Sequence, residues 1–371
     1  MPPTRRSTNS NPTPKARRAL SRTTVQERFE EIVSNIGKVI KGKDEMIRLA
    51  LTALAADGHI VFEDMPGTGK TMLARAIAQS IDANVSRIQC TPDLLPTDVT
   101  GSSVLDRHTG DFVFREGPVF ANVFLVDEVN RATPKTQSAL LEAMAERRVS
   151  FDGVTRPLPQ PFFVLATMNP IELAGTFALP EAQLDRFLFR LTMGYPDLKA
   201  EREVLDTSGK REAIADLGAV TSTDELLAMI EWANDVSVDD SVKDYIVNLV
   251  AATRTDPALA MGASTRASLA LLRASRAAAA SQGRDDVVPD DVRALAPHVL
   301  GHRLVLTADA VLRDETVDAV VDRLLSRVKA PVGSLRAAPK TRATAAPFPA
   351  EDGAVHATAT PAHVPASSAS R

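Results

Sequence analysis

Cysteine, long apolar runs, repeats and an excess of either charge are all missing from this sequence, and each absence removes a class of protein. The one cysteine, Cys90, cannot close an internal disulfide and has no companions at metal-ligand spacing. It ends the alternating run Val85-Ser86-Arg87-Ile88-Gln89-Cys90, which reads as a strand, so packing is its expected role. No apolar stretch is long enough to cross a bilayer. The first residues lack the apolar run of a secretory signal, and Pro2, Pro3, Pro12 and Pro14 break the helix of a transit peptide. The expected location is cytoplasmic. A net charge of -4 over 371 residues selects no highly charged partner.

What remains is an ordinary globular core between two biased ends. Residues 1–24 are basic and free of acids, and read as a disordered tail. Residues 330–371 are Ala, Pro, Thr and Ser with one aromatic, Phe348, too little apolar surface to offset the entropy of ordering. Between them, 25–196 alternate strand-like and helix-like segments. The runs 59–63, 86–90, 123–127, 163–167 and 187–191 have strand length, with helical patterns at 71–81 and 134–146. That alternation predicts an α/β fold with a parallel sheet between helices. After Tyr195-Pro196-Asp197 the period changes: Val242, Tyr245, Ile246, Leu249 and Val250 share a helical face. Residues 197–329 therefore read as a helical domain, with Ser264 and Asp290 as helix N-caps.

Chemistry concentrates where strands end. Asp64-Met65-Pro66-Gly67-Thr68-Gly69-Lys70-Thr71 follows a strand and opens a helix, the setting of a phosphate-binding loop. Glycines let backbone N–H groups close around phosphates, Lys70 neutralises their charge, and the Thr71 hydroxyl can ligate Mg²⁺. Asp64 stands where such loops begin with glycine; that position makes the turn, so binding is expected to survive. The strand at 123–127 ends in Asp127 and Glu128, one carboxylate to hold Mg²⁺ and one to polarise an attacking water. Asn169 follows the next strand, where a polar side chain would face the γ-phosphate. Taken singly, each has a plainer reading: a glycine-rich turn, an acidic turn capping a helix, an Asn-Pro turn.

Together these segments resemble the AAA+ superfamily of ATPases, and within it the MoxR family. The resemblance is carried by Asp93-Leu94-Leu95-Pro96-Thr97-Asp98-Val99-Thr100-Gly101, by Phe114-Arg115-Glu116-Gly117-Pro118-Val119-Phe120-Ala121-Asn122, and by Asp127-Glu128-Val129-Asn130-Arg131-Ala132. Leu179-Pro180-Glu181-Ala182-Gln183-Leu184-Asp185-Arg186-Phe187 and Gly262-Ala263-Ser264-Thr265-Arg266 complete it, over about 25–329. It implies a five-stranded parallel sheet followed by a small all-helical lid, with ATP and Mg²⁺ as cofactors. Pro66, Gly67, Thr68, Gly69, Lys70, Thr71 and Met72 would surround the phosphates, and Gly42, in Val39-Ile40-Lys41-Gly42, would lie over the adenine. Asn169 resembles sensor 1, Arg186 the arginine finger that reaches a neighbour's nucleotide, and Arg266 sensor 2, touching the nucleotide of its own subunit. An insert at 93–116 and a hairpin at 149–157, turning at Asp152-Gly153, are implied as well.

The same resemblance implies a homo-oligomeric, hexameric ring, protein clients, and a partner with a von Willebrand factor A-type domain. Alternatives are a DNA-associated motor or loader, a slow nucleotide-gated switch, and a magnesium-chelatase-like subunit. The near-neutral core and the lack of a DNA-binding module after the lid make nucleic acid the less favoured partner.

Overall fold

The computed structural model describes residues 22–331, apart from Pro66, 170–175, 208–213 and 215. The expected tails lie outside these residues except at their inner margins. There the helix Arg22–Gly37 already begins inside the stretch 1–24.

Five strands form one sheet in the order Val85–Gln89, Val123–Asp127, Phe163–Met168, Ile60–Glu63, Phe189–Leu191, and every neighbouring pair is parallel. Each expected run falls on one of them, with ends shifted by a residue or two. Side chains alternate between faces along a strand, and the core follows that alternation. Ile60, Phe62, Val123, Leu125, Phe163 and Leu165 join one buried cluster, while Val61, Phe124, Val126, Val164 and Ala166 join another. The first cluster takes in the helices Arg22–Gly37, Asp44–Ala55 and Lys70–Ser80 and runs on into the C-terminal helices. The second is closed by the helix Pro134–Glu146.

Among the described residues, the segment after Asp197 is helices joined by turns, with one isolated bridge, Ser237 to Asp286, and a short antiparallel pair, Leu259–Met261 with Val305–Leu306. Its longest helix, Thr265–Ser281, is capped by Ser264, whose hydroxyl accepts from the Arg266 N–H. Asp290, expected as a cap, is already inside its helix. Pro289 takes the first helical position, which needs no N–H, and Asp291 reaches back to accept from the Val288 N–H at 2.9 Å. Because this segment shares its core with one face of the sheet, the position of helix Thr265–Ser281 is set by packing.

Two antiparallel hairpins leave the body between strands. One pairs Gly101–Leu105 with Phe112–Glu116; the other pairs Arg148–Phe151 with Val154–Pro157 through the left-handed turn Asp152-Gly153. At the base of the first, a side chain on Gly101 would run into the backbone at Arg115 and Gly117. The hairpins touch: the Arg156 guanidinium lies 3.9 Å from the Phe114 ring centroid, and the Ser103 hydroxyl donates to Asp152 at 3.3 Å.

Two histidines are locked neutral inside the body. His59 Nδ1 accepts from the Val164 N–H at 3.1 Å, so Nε2 carries the proton and donates to the Met144 carbonyl at 3.2 Å. His302 Nε2 is 3.1 Å from the Phe187 carbonyl. Burial first, and then Arg147 and Arg303 respectively, holds both well below the ordinary histidine range. The unfolded chain therefore binds more protons below that range, and stability must fall as pH falls. The loss should begin near pH ~6.5 and deepen by about 1.4 kcal/mol per pH unit for each histidine still neutral in the fold. Denaturant unfolding at stepped pH checks this; a flat profile between pH ~7.5 and ~5.5 would contradict it.

Candidate functional site

All five strands run the same way, so their C-terminal ends gather at one edge of the sheet, and a cavity of about 330 Å³ opens there. It is lined by Gly67, Gly69, Lys70, Thr71 and Met72 from the loop and its helix. Asp127, Glu128 and Asn169 come from the ends of the two neighbouring strands. Gly67 and Gly69 take positive φ, 84° and 95°, which other residues adopt only with strain. Gly69 caps helix Lys70–Ser80 without a side chain, so the N–H groups of the first turn stay open toward the cavity. Lys70, only 9% exposed, donates to the Met65 carbonyl at 2.6 Å. Burial lowers its pKa, opposed by Asp64 and Asp127. A desolvated ammonium at a helix N-terminus beside a glycine-rich loop is suited to hold phosphate.

Asp64 does not need to be glycine, because its backbone is not left-handed. Its carboxylate instead accepts from the Met65 N–H and from the Gly194 N–H, both at 2.7 Å. It ties the start of the loop to the chain leaving the last strand. Lys43 joins the same junction through the Met193 and Tyr195 carbonyls at 2.6 and 2.7 Å. Gly42, at φ 67°, lies against Ala200 beside this junction and not in the phosphate cavity. Pro66 lies outside the described residues.

The carboxylates are held by groups that sequence reasoning missed. Thr167, buried one strand away, accepts from the Glu128 N–H at 2.9 Å and donates to Asp127 at 3.3 Å. Arg87 donates to the other Asp127 oxygen at 2.7 Å, and Arg131 donates to Glu128 at 2.9 Å. Glu128 itself has φ 55°, a strained value that turns the chain sharply off the strand and aims its side chain at the cavity. The available signal for Thr167 was a polar residue next to the end of an otherwise apolar strand.

The two arginines are elsewhere. Arg186 and Arg266 line a second cavity of about 530 Å³ with Arg147, Arg273 and Arg303. His59 lies on its wall, whereas Asp64, at the far end of the same strand, lines the first cavity. The separation is thus about 17 Å, five residues of extended chain. Arg266 lies 3.8 Å from Asp185 and, among the described residues, lines no part of the phosphate cavity. This departs from the own-subunit contact that the resemblance implies. The cause is the docking of helix Thr265–Ser281 on the N-terminal helices, which carries its first turn to the opposite edge of the sheet.

A glycine-rich loop, a desolvated lysine and two strand-end acids on a parallel sheet define a nucleotide-binding P-loop ATPase. Comparison with known proteins agrees. Residues 59–189 match the ATPase family associated with various cellular activities, and residues 251–324 match the AAA lid domain. Chaperone MoxR1 of Mycobacterium tuberculosis is 42% identical over 82% of this chain and 82% of its own. Protein MoxR of Methylorubrum extorquens is 35% identical over 75% and 87%. The uncharacterized YeaC of Bacillus subtilis is 48% identical over 81% and 94%. A crystal structure of a candidate ATPase from Cytophaga hutchinsonii superposes with a TM-score of 0.80 at 36% identity, covering 84% of this chain and 97% of that one. The chain belongs to the MoxR family of AAA+ ATPases and is an ATP hydrolase.

Two outcomes are expected from the geometry. Lys70→Ala should abolish ATP binding in calorimetry, whereas Glu128→Gln should bind ATP and hydrolyse it about 10²–10⁴-fold more slowly, because an amide cannot take the water's proton. Asp64→Ala should cost about 1–3 kcal/mol in denaturant unfolding, since the Met65 and Gly194 N–H groups lose their acceptor. Unchanged stability would remove Asp64 from the junction.

Proposed function

We propose that this ATPase works as a cytoplasmic ring, hexameric in the favoured reading, that uses ATP to remodel or mature partner proteins. The observation that carries it is the split of the machinery: acids and phosphate loop at one edge of the sheet, Arg186 and Arg266 at the other. Neither arginine lines the phosphate cavity of its own chain, and the walls of the two cavities stand about 17 Å apart along one strand. Both are exposed, so each is free to serve a neighbour placed edge to edge.

The roles follow from position. Lys70 and the open N–H groups of its helix hold the phosphates. Glu128 accepts the proton of the attacking water, and Asn169 orients that water. Asp127 and Thr71 offer the hard oxygens that suit Mg²⁺, which commonly takes only one or two protein ligands beside phosphate oxygens. When bound, Mg²⁺ would neutralise charge on the phosphate oxygens. Arg87 and Thr167 each take one lone pair of the Asp127 carboxylate, which would leave others to face the metal. The neighbour's Arg186 and Arg266 face the charge that grows in the transition state.

The remodelling reading is supported by kinship with a protein named as a chaperone. The exposed hairpin edge, where Leu105 pairs with Phe112, supplies apolar surface for a client. A partner carrying a von Willebrand factor A-type domain remains the reading for how clients are chosen. No helix among the described residues is long and apolar enough to cross a membrane.

Subunit mixing tests the proposal. Arg186→Ala and Glu128→Gln should each be inactive alone, the former by about a thousandfold or more. Mixed, they rebuild sites with Glu128 from one chain and Arg186 from the next, so hydrolysis should return. Mixed rings without activity would end the reading, as would a strictly monomeric mass by light scattering in ATP.

A further inference from the structure

Asp185 and Arg303 form a buried ion pair that no step of hydrolysis uses. Arg303 is 4% exposed and comes from the lid, just beyond helix Pro289–Leu300. A guanidinium has five N–H donors, and here all five are spent. Nε donates to the Asp185 carboxylate at 2.6 Å. One terminal nitrogen donates to the backbone carbonyls of Asp185 and Phe187 at 3.1 and 2.6 Å. The other donates to the carbonyls of Leu188, at 3.3 Å, and Val299. The fork thus grips the backbone on both sides of Arg186.

Asp185 uses its second oxygen on the lid as well. It accepts from the Ser264 hydroxyl at 2.9 Å, and Arg266 NH1 stands 3.8 Å away. Ser264 is the cap of the helix on which Arg266 sits in the first turn. One carboxylate therefore joins the core residue before Arg186 to Ser264, Arg266 and Arg303 of the lid. An ion pair buried to this degree adds little stability over well-packed apolar groups. What it supplies is geometry.

We propose that Asp185 and Arg303 are positioning residues for hydrolysis, fixing Arg186 of the core and Arg266 of the lid in one register so that they meet a neighbour's phosphates together. The proposal rests on the reading that these arginines act across an interface. Crowding gives the device a second use. Arg147, Arg186, Arg266, Arg273 and Arg303 share one cavity, and Asp57 is engaged by Arg147 at 2.9 Å. Asp185 is the carboxylate placed to offset the repulsion between Arg303 and Arg266.

The test uses the full chain with Arg303→Lys, which keeps the charge and loses the fork, and Asp185→Asn, which keeps the size and loses the charge. Each should hydrolyse ATP about a hundredfold more slowly, the usual cost of misplacing a catalytic group by an ångström. Affinity for a non-hydrolysable ATP analogue should be unchanged, because the phosphate cavity is at the other edge. Mixing either variant with Glu128→Gln should restore hydrolysis, and mixing with Arg186→Ala should not, since neither chain then presents a sound arginine face. A general structural role would lower nucleotide affinity and would not sort the variants in this way. If Arg186→Ala with Glu128→Gln fails to complement, the interface reading fails and the proposal with it. If that control succeeds, two results overturn the positioning role alone: wild-type turnover in both variants, or rescue by Arg186→Ala. Should Arg303→Lys not fold, Asp185→Asn carries the same expectations.

Discussion

The strand Ile60–Glu63 is paired on both sides by parallel neighbours, Phe163–Met168 and Phe189–Leu191, and both cavities depend on that pairing. Its C-terminal end delivers the phosphate loop beside the end of the strand that leads to Asn169. Its other end, at His59, forms the wall against which the Arg186 segment packs, with the Leu188 N–H donating to the His59 carbonyl at 2.7 Å. A register slip of one residue would turn Ile60 and Phe62 to the wrong face of the sheet. It would also part the loop from Asp127 and Arg186 from its groove.

Charge is then placed where the backbone can hold it. Lys70 and Arg303 are both desolvated, at opposite edges, and burial lowers the pKa of each. They differ in what surrounds them. Lys70 rests on loop carbonyls and a threonine hydroxyl, partners that a phosphate can outbid. Arg303 has a carboxylate and four carbonyls, and nothing is left over to bind. The first is open to an incoming anion, the second is saturated. Arg186 lies between these extremes: its NH1 donates to the neutral Leu141 carbonyl at 2.8 Å, a bond that leaves its charge uncompensated.

The parts of this molecule legible in the sequence are those that repeat or lie close together. The sheet was readable because buried parallel strands are short apolar runs ended by turns. The loop and the acid pair were readable because their chemistry sits within a few consecutive residues. Thr167 and Arg87 were not, since each meets Asp127 across 40 residues. Arg303 meets Asp185 across 118 residues. Arg266 was singled out by kinship, yet its place beside Arg186 follows from how the lid shares the core of the sheet, which no local pattern encodes. The Asp64 carboxylate is a similar case: the missing glycine was visible, its N–H partner at Gly194 was not.

One helix joins these separately held parts. Pro134–Glu146 begins at the turn that follows Asp127 and Glu128, where Gln137 donates to the Val129 carbonyl at 3.3 Å and Thr136 to Leu94, at the root of the insert, at 2.7 Å. Its far end presents the Leu141 carbonyl to Arg186 and the Met144 carbonyl to His59. Carbonyls at a helix C-terminus carry partial negative charge, which suits a cation there. After Pro134 the helix contains no glycine or proline to bend it, and it spans about 20 Å at 1.5 Å per residue. The helix is thus tied through Gln137 to the turn that follows the acids and through Leu141, about one turn further on, to Arg186.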